Sequence, residues 1–210
     1  LKKFGFHERT GIEMPAEERG ANFPTAESLR NDPIRHANIA FGQGLSITPI
    51  QMVKSFAIIA NGGFDIDPHL VDNVTDDAGN IIYQQEANRN DRILRNDTNA
   101  IINDYVENNM ENGSGRTAKV DGFDGGGKTG TAWFVEDGKY MKDSLIGSFI
   151  GYLPAEDPQY VMLVSVKEPK GVRYGSEVAN PIFKNVMEDV VRNKEIKNSK
   201  NEESNEDEPT

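Results

Sequence analysis

The sequence predicts an α+β fold, an antiparallel sheet with helices on its faces. Three runs in the second half predict the sheet: residues 128–136, 145–153 and 160–166 are apolar, rich in β-favouring side chains and joined by short turn signals. A helix-periodic segment with Ile182, Phe183, Val186, Met187, Val190 and Val191 follows, placed to pack on that sheet. The 210 residues suffice for one ordinary domain with a real core.

Taken in order, residues 1–33 read as irregular, because Gly5, Gly11, Pro15, Gly20, Pro24 and Pro33 punctuate them too often for long elements. The next segment is a turn entering a helix, with Thr48 as N-cap, Pro49 at the first helical position and Asn61-Gly62-Gly63 as the stop. Ile50, Val53, Phe56, Ala57 and Ala60 form its apolar stripe, read as core. Residues 70–74 and 81–83 bracket Asp76-Asp77-Ala78-Gly79-Asn80, a β-hairpin pattern. Asn96 or Asp97 caps a second helix with Ile101, Ile102, Tyr105, Val106 and Met110 inward, and Gly113 ends it. The strand opening at Lys128 runs to a turn at Asp137-Gly138. The next strand closes at Pro154, and the near-continuous apolar run of the third reads as covered on both faces. Asn180 caps the last helix, with Pro181 at its first position. Residues 1–193 thus form the folded portion, and the charged stretch 194–210, without an apolar periodicity, reads as a disordered acidic tail.

Charge and composition exclude several function classes. Lys plus Arg is 23 and Asp plus Glu is 34, a net charge of -11. Such a chain repels nucleic acid and offers no basic patch to anionic lipid. There is no cysteine, so neither a disulfide framework nor a thiol nucleophile is available. His7, His36 and His69 are far apart and lack metal-ligand spacing, so no metal and no cofactor is expected. No stretch is apolar and long enough to span a bilayer. The chain begins with Leu1 rather than methionine and reads as a piece of a longer protein.

The chemistry-bearing stretch is Gly125-Gly126-Gly127-Lys128-Thr129-Gly130-Thr131-Ala132-Trp133-Phe134-Val135. On a strand with a side-chain period of 2, Lys128 and Gly130 point to one face and Thr129 and Thr131 to the other. The glycines admit a close backbone or ligand, and an edge strand leaves N–H groups free to donate. One cation, two hydroxyls and unpaired backbone donors together suit an anion or an oxyanion. The letters from Gly122 to Thr129 also fit the phosphate-cradling G-x-x-x-x-G-K-[ST] pattern. That reading needs a buried strand before the loop and a helix after it, and the flanking residues supply neither. A glycine-rich loop feeding an ordinary edge strand without chemistry is the remaining alternative.

The ordered set of motifs resembles the C-terminal part of the transpeptidase domain of a class B penicillin-binding protein, over roughly residues 1–192. The residues that carry it are Lys3-Phe4-Gly5-Phe6, the segment 10–15, the run from Gly42 to Gln51, Gly127-Lys128-Thr129-Gly130-Thr131-Ala132, Gly147-Ser148-Phe149-Ile150-Gly151-Tyr152 and Tyr174-Gly175-Ser176. The resemblance implies serine acyl transfer on a peptidoglycan stem peptide ending in D-Ala-D-Ala, with β-lactams as mimics of that peptide. It implies that Lys128 and Thr131 are catalytic, Lys128 supplying charge and the Thr131 N–H one oxyanion donor. Thr129, Gly130 and Thr131 would bind the substrate carboxylate. It places the parent protein on the outer face of the bacterial cytoplasmic membrane.

Two motifs of that family are absent. No serine has a lysine three residues later, and Ser199-Lys200-Asn201 matches Ser-x-Asn only by letters, in the charged tail. The nucleophile and its base are therefore expected on a missing N-terminal half of the same domain, and this chain alone is expected to be inactive. The alternative is a non-catalytic binding or scaffolding piece that has lost the nucleophile.

Overall fold

The computed structural model describes residues 1–85, 91–136, 139–172 and 174–193; the side chains of residues 134–136, 139, 140, 142 and 143 fall outside that description. The Asp137-Gly138 turn and the charged tail lie outside the described residues. The chain forms two compact units, one up to Asn96 and one from Asp97 onwards.

The first unit opens with a 3-10 turn, Lys2–Phe4, and two short helices, α1 (Ala26–Asn31) and α2 (Pro33–Ala40). These helices correct the reading of this region as wholly irregular near its end. Thr25 and Ser28 form a reciprocal capping box for α1, and Asp32 caps α2 with Pro33 at its start. The proline that reads as punctuation therefore opens a helix. Helix α3 (Pro49–Ala60) begins as expected, with Thr48 and Gln51 in a capping box, and stops at Asn61.

The buried face of α3 differs from the apolar stripe. Gln51, Lys54, Ser55, Phe56 and Ile58 are buried, whereas Ile50, Val53, Ala57 and Ala60 are only half-buried. The buried polar groups have partners, which offsets their desolvation. Gln51 Oε1 accepts from Thr48 N–H at 2.9 Å, Gln51 Nε2 donates to Glu8 O at 2.6 Å, and Lys54 Nζ lies 3.1 Å from Asp65 Oδ1. The predicted hairpin forms, β1 (Asn73–Thr75) pairing antiparallel with β2 (Ile81–Gln84), but its first strand begins at Asn73 rather than at Leu70.

In the second unit, α4 (Asn96–Asn112) leads through a 3-10 turn, Arg116–Ala118, to three antiparallel strands in the order β3 (Gly126–Glu136), β4 (Lys139–Leu153), β5 (Tyr160–Lys167). Helix α5 (Gly175–Asn193) then packs back on the sheet. This is the α+β arrangement the sequence predicts. Residues 126–136 are strand paired with β4, so Lys128 opens no helix and the phosphate-loop reading lacks its context.

The core joins Met110 of α4, Ala118 and Val120, Phe149 and Leu153 of β4, and Ala179, Phe183 and Met187 of α5. Phe149 and Phe183 meet edge to face, centroids 4.8 Å apart, a geometry worth about 0.5–1.5 kcal/mol beyond burial.

Three readings in this unit are corrected. Ile101 and Tyr105 of α4 are exposed, at 55% and 68%. The face turned to β4 instead carries Asn103 and Glu107, both bonded to the Tyr152 hydroxyl, and Met110. Strand β5 is fully covered on neither face. Residues 160–164 are half-buried on both faces, Tyr160, Met162 and Val164 packing against the core and Val161 and Leu163 turned the other way. Helix α5 starts at Gly175, not at Asn180, and Pro181 lies inside it. Asn180 is wholly buried, its amide donating to Ser114 O and Thr117 Oγ1, both at 2.8 Å.

Candidate active-site strand

Strand β3 is an edge of the three-stranded sheet, with β4 as its neighbour. Its register sets Lys128 opposite Ile150, Thr129 opposite Phe149, Gly130 opposite Ser148 and Thr131 opposite Gly147. The expected period of 2 holds: Thr129 and Thr131 lie on the face that Phe149 and α5 cover, and Lys128 is exposed.

Two carbonyls show how the strand is turned. Gly127 O accepts from Asn109 Nδ2 at 2.8 Å, and Thr129 O accepts from Lys128 Nζ at 3.0 Å. Both donors are side chains, so these carbonyls face the open edge rather than β4. Alternate residues of an antiparallel strand direct their N–H and C=O to the same side. The Thr131 N–H therefore points out from the open edge as well.

Both threonine hydroxyls have partners. Thr129 Oγ1 lies 2.8 Å from Ser114 Oγ; Ser114 donates its one proton to Asn109 Oδ1 at 3.2 Å, so Thr129 is the donor to Ser114. Thr131 Oγ1 accepts the Gly175 N–H at 3.1 Å, at the first residue of α5. An oxygen already accepting from an N–H keeps its own proton to donate. The Thr131 hydroxyl is thus set up as a donor.

Glycines make that approach possible. A Cβ on Gly175 would come within 2.2 Å of Gly130 O, and one on Gly147 within 2.8 Å of the Gly175 Cα. Only hydrogen at these positions lets the helix start lie directly on the strand pair. Gly130 itself faces Ser148, whose Oγ would lie 2.5 Å from an added Cβ.

Lys128, Thr129, Gly130 and Thr131 therefore lie together on one edge strand, Lys128 exposed and the other three half-buried. Sequence reasoning missed Asn109, Ser114 and the Gly175 N–H as their supports. Tyr174-Gly175-Ser176 carries a family signal, but nothing local assigns its N–H to a threonine 44 residues away. No group of three His, Asp or Glu side chains among the described residues is placed to hold a metal, and no described helix is long and apolar enough to cross a membrane.

Comparison with known proteins places this strand in a family. Residues 1–188 match the penicillin binding protein transpeptidase domain. The chain is 39% identical over 207 residues to stage V sporulation protein D of Bacillus subtilis, covering 96% of this chain and 31% of that one. It is 33% identical over 177 residues to the peptidoglycan D,D-transpeptidase FtsI homolog of Mesostigma viride, covering 78% of this chain and 30% of that one. The chain thus spans under a third of the length of these relatives. The crystal structure of penicillin binding protein 3 from Mycobacterium tuberculosis, complexed with ampicillin, superposes with a TM-score of 0.81 at 28% identity, over 95% of this chain and 46% of that one. With its Lys-Thr-Gly strand on an open edge and a family match along nearly its whole length, the chain belongs to the penicillin-binding protein transpeptidase domain family.

Proposed function

We propose that this chain is part of a peptidoglycan D,D-transpeptidase, cross-linking cell wall by serine acyl transfer on the outer face of the bacterial cytoplasmic membrane. The observation that carries the reading is the open edge of β3, along which one ammonium, two hydroxyls and an outward N–H lie within four residues. Relatives named as D,D-transpeptidases support it.

In this reading a serine outside these 210 residues attacks the penultimate D-Ala carbonyl of a stem peptide, and a lysine one helical turn on accepts its proton. The terminal D-Ala leaves, and an acceptor amine resolves the acyl-enzyme into a cross-link. This chain's residues bind and polarise. Lys128 offers charge to the peptide carboxylate, the Thr131 hydroxyl donates to it, and Thr129 joins by turning its proton from Ser114 to the ligand. The Thr131 N–H donates to the oxyanion that forms as the serine attacks. A β-lactam would be held by the same groups, as a mimic of the peptide.

The test is a titration of the ¹⁵N-labelled chain with N-acetyl-D-alanyl-D-alanine. Saturable shifts are expected at the amides of Lys128, Thr129, Gly130 and Thr131. Lys128→Met should weaken binding about tenfold or more, the equivalent of one lost charge-assisted hydrogen bond. Amides that stay still at millimolar peptide would exclude β3 as a carboxylate site.

A further inference from the structure

We propose that a cavity beside the start of α5 is a second carboxylate subsite, taking an acidic side chain of a peptide whose terminal carboxylate lies on β3. The identity of that ligand rests on the proposed function; the anion-binding character of the cavity does not.

The cavity is a solvent-open cleft of about 340 Å3, lined by Asn112, Gly113, Ser114, Arg116, Thr117 and Ser176. No acid lines it, and Arg116 is its one charged residue. In a chain with 34 acidic and 23 basic side chains, Arg116 has no carboxylate partner among the described residues. A guanidinium offers a planar fork of donors that matches a carboxylate.

Two other lining groups are placed to donate. Thr117 Oγ1 accepts from the amide of Asn180, which is wholly buried and so fixed in direction. The Thr117 proton is left to donate elsewhere. Ser176 is the second residue of α5, whose first-turn N–H groups have no intrahelical acceptor. The Gly175 N–H goes to Thr131 Oγ1 and the Glu177 N–H to Tyr174 O, leaving the Ser176 N–H without a partner among the described residues. The positive end of a 19-residue helix adds to the attraction.

Ser114 links the cavity to β3. Its hydroxyl lies 2.8 Å from Thr129 Oγ1, a group of the proposed peptide site. One polar surface thus runs from the Lys-Thr-Gly edge into the cavity. A ligand with two carboxylates could place one on each, and the volume admits a short acidic side chain.

Three probes test this on the ¹⁵N-labelled 210-residue chain. Sodium acetate, which needs no linker, should shift the amides of Arg116, Thr117 and Ser176, and Arg116→Gln should abolish those shifts. N-acetyl-L-glutamyl-D-alanyl-D-alanine should bind about fivefold tighter than its glutaminyl counterpart, as expected for one exposed ion pair. Arg116→Gln should erase that preference. If acetate leaves the three amides unmoved, the subsite is overturned, whatever β3 does. Equal affinity for the two tripeptides overturns the peptide as its ligand. If acetate moves the cavity amides while neither tripeptide moves Thr129 or Thr131, the β3 reading fails and the anion site stands.

Discussion

The Thr131 hydroxyl accepts from the helix start and keeps its own proton to donate. Thr131→Val keeps the β-branched shape and removes the acceptor, stranding the Gly175 N–H. The expected loss is about 0.5–1.5 kcal/mol in urea denaturation, and Thr131→Ser should restore it. An unchanged midpoint in Thr131→Val would mean that α5 does not lean on this hydroxyl. Tyr152 is a second residue whose role is invisible in its neighbours along the chain. It is 1% exposed, with its hydroxyl 2.9 Å from Asn103 Oδ1 and 3.0 Å from Glu107 Oε1. Burial, then the Glu107 charge, raises its phenol well above the ordinary range, so it stays neutral and donating. Tyr152→Phe should cost about 1–3 kcal/mol, because the strand loses its bond to a carboxylate on α4. A stability equal to the parent's would show that water replaces the hydroxyl at no cost.

At the scale of elements, the start of α5 depends on what it rests on. Gly175→Ala would drive a Cβ to 2.2 Å from Gly130 O, so the helix must lift from the strand pair. Crowding of this kind costs about 1–3 kcal/mol, which lowers Tm by several degrees in a chain of this size. A melting temperature within error of the parent would refute the close packing. The β1–β2 hairpin offers a pH test. Asp76 accepts from Asn80 Nδ2, Asn80 N–H and Ala78 N–H at 2.8–2.9 Å, and the Asn80 side-chain bond leads the causes that hold its carboxyl below the ordinary 3.8. With a depressed folded pKa, the stabilisation is present above 3.8 and disappears as pH falls through the folded value. The Ala78 and Asn80 amide signals should therefore titrate with a midpoint below 3.8, and a midpoint at or above it contradicts this geometry. The turn itself was legible, because Asp76 to Asn80 is a local pattern. The start of α5 was not, because Asn180-Pro181 is a good local cap that the buried bonds of Asn180 to Ser114 and Thr117 override.

On the scale of the whole molecule, the absence of Ser-x-x-Lys outweighs every local match to the site. Purified as these 210 residues, the chain should carry no fluorescent penicillin through denaturation, because a covalent adduct needs a nucleophile and its base. A labelled band on a denaturing gel would locate a nucleophile within the chain and end the proposal that it lies elsewhere. The net charge of -11 bears on the same site. A peptide carboxylate bound as proposed would approach an acidic surface, so Lys128 and Arg116 would act on it locally, within a Debye length of about 10 Å at 0.1 M salt.

Short-range rules settled much of this protein in advance. Lys-Thr-Gly on a strand, the Thr48–Pro49 helix start and three strands in sequence follow from period, caps and turns, which span a few residues each. The same rules put Thr129 and Thr131 on one face. Only the tertiary structure decided which polar groups go inside and what holds the site's side chains. Gln51 is buried against Glu8, 43 residues earlier, and Asn180 against Ser114, 66 residues earlier. Thr131 meets its helix partner across 44 residues. A buried polar side chain is tolerated only when a partner arrives, and no local pattern says which distant backbone will supply it.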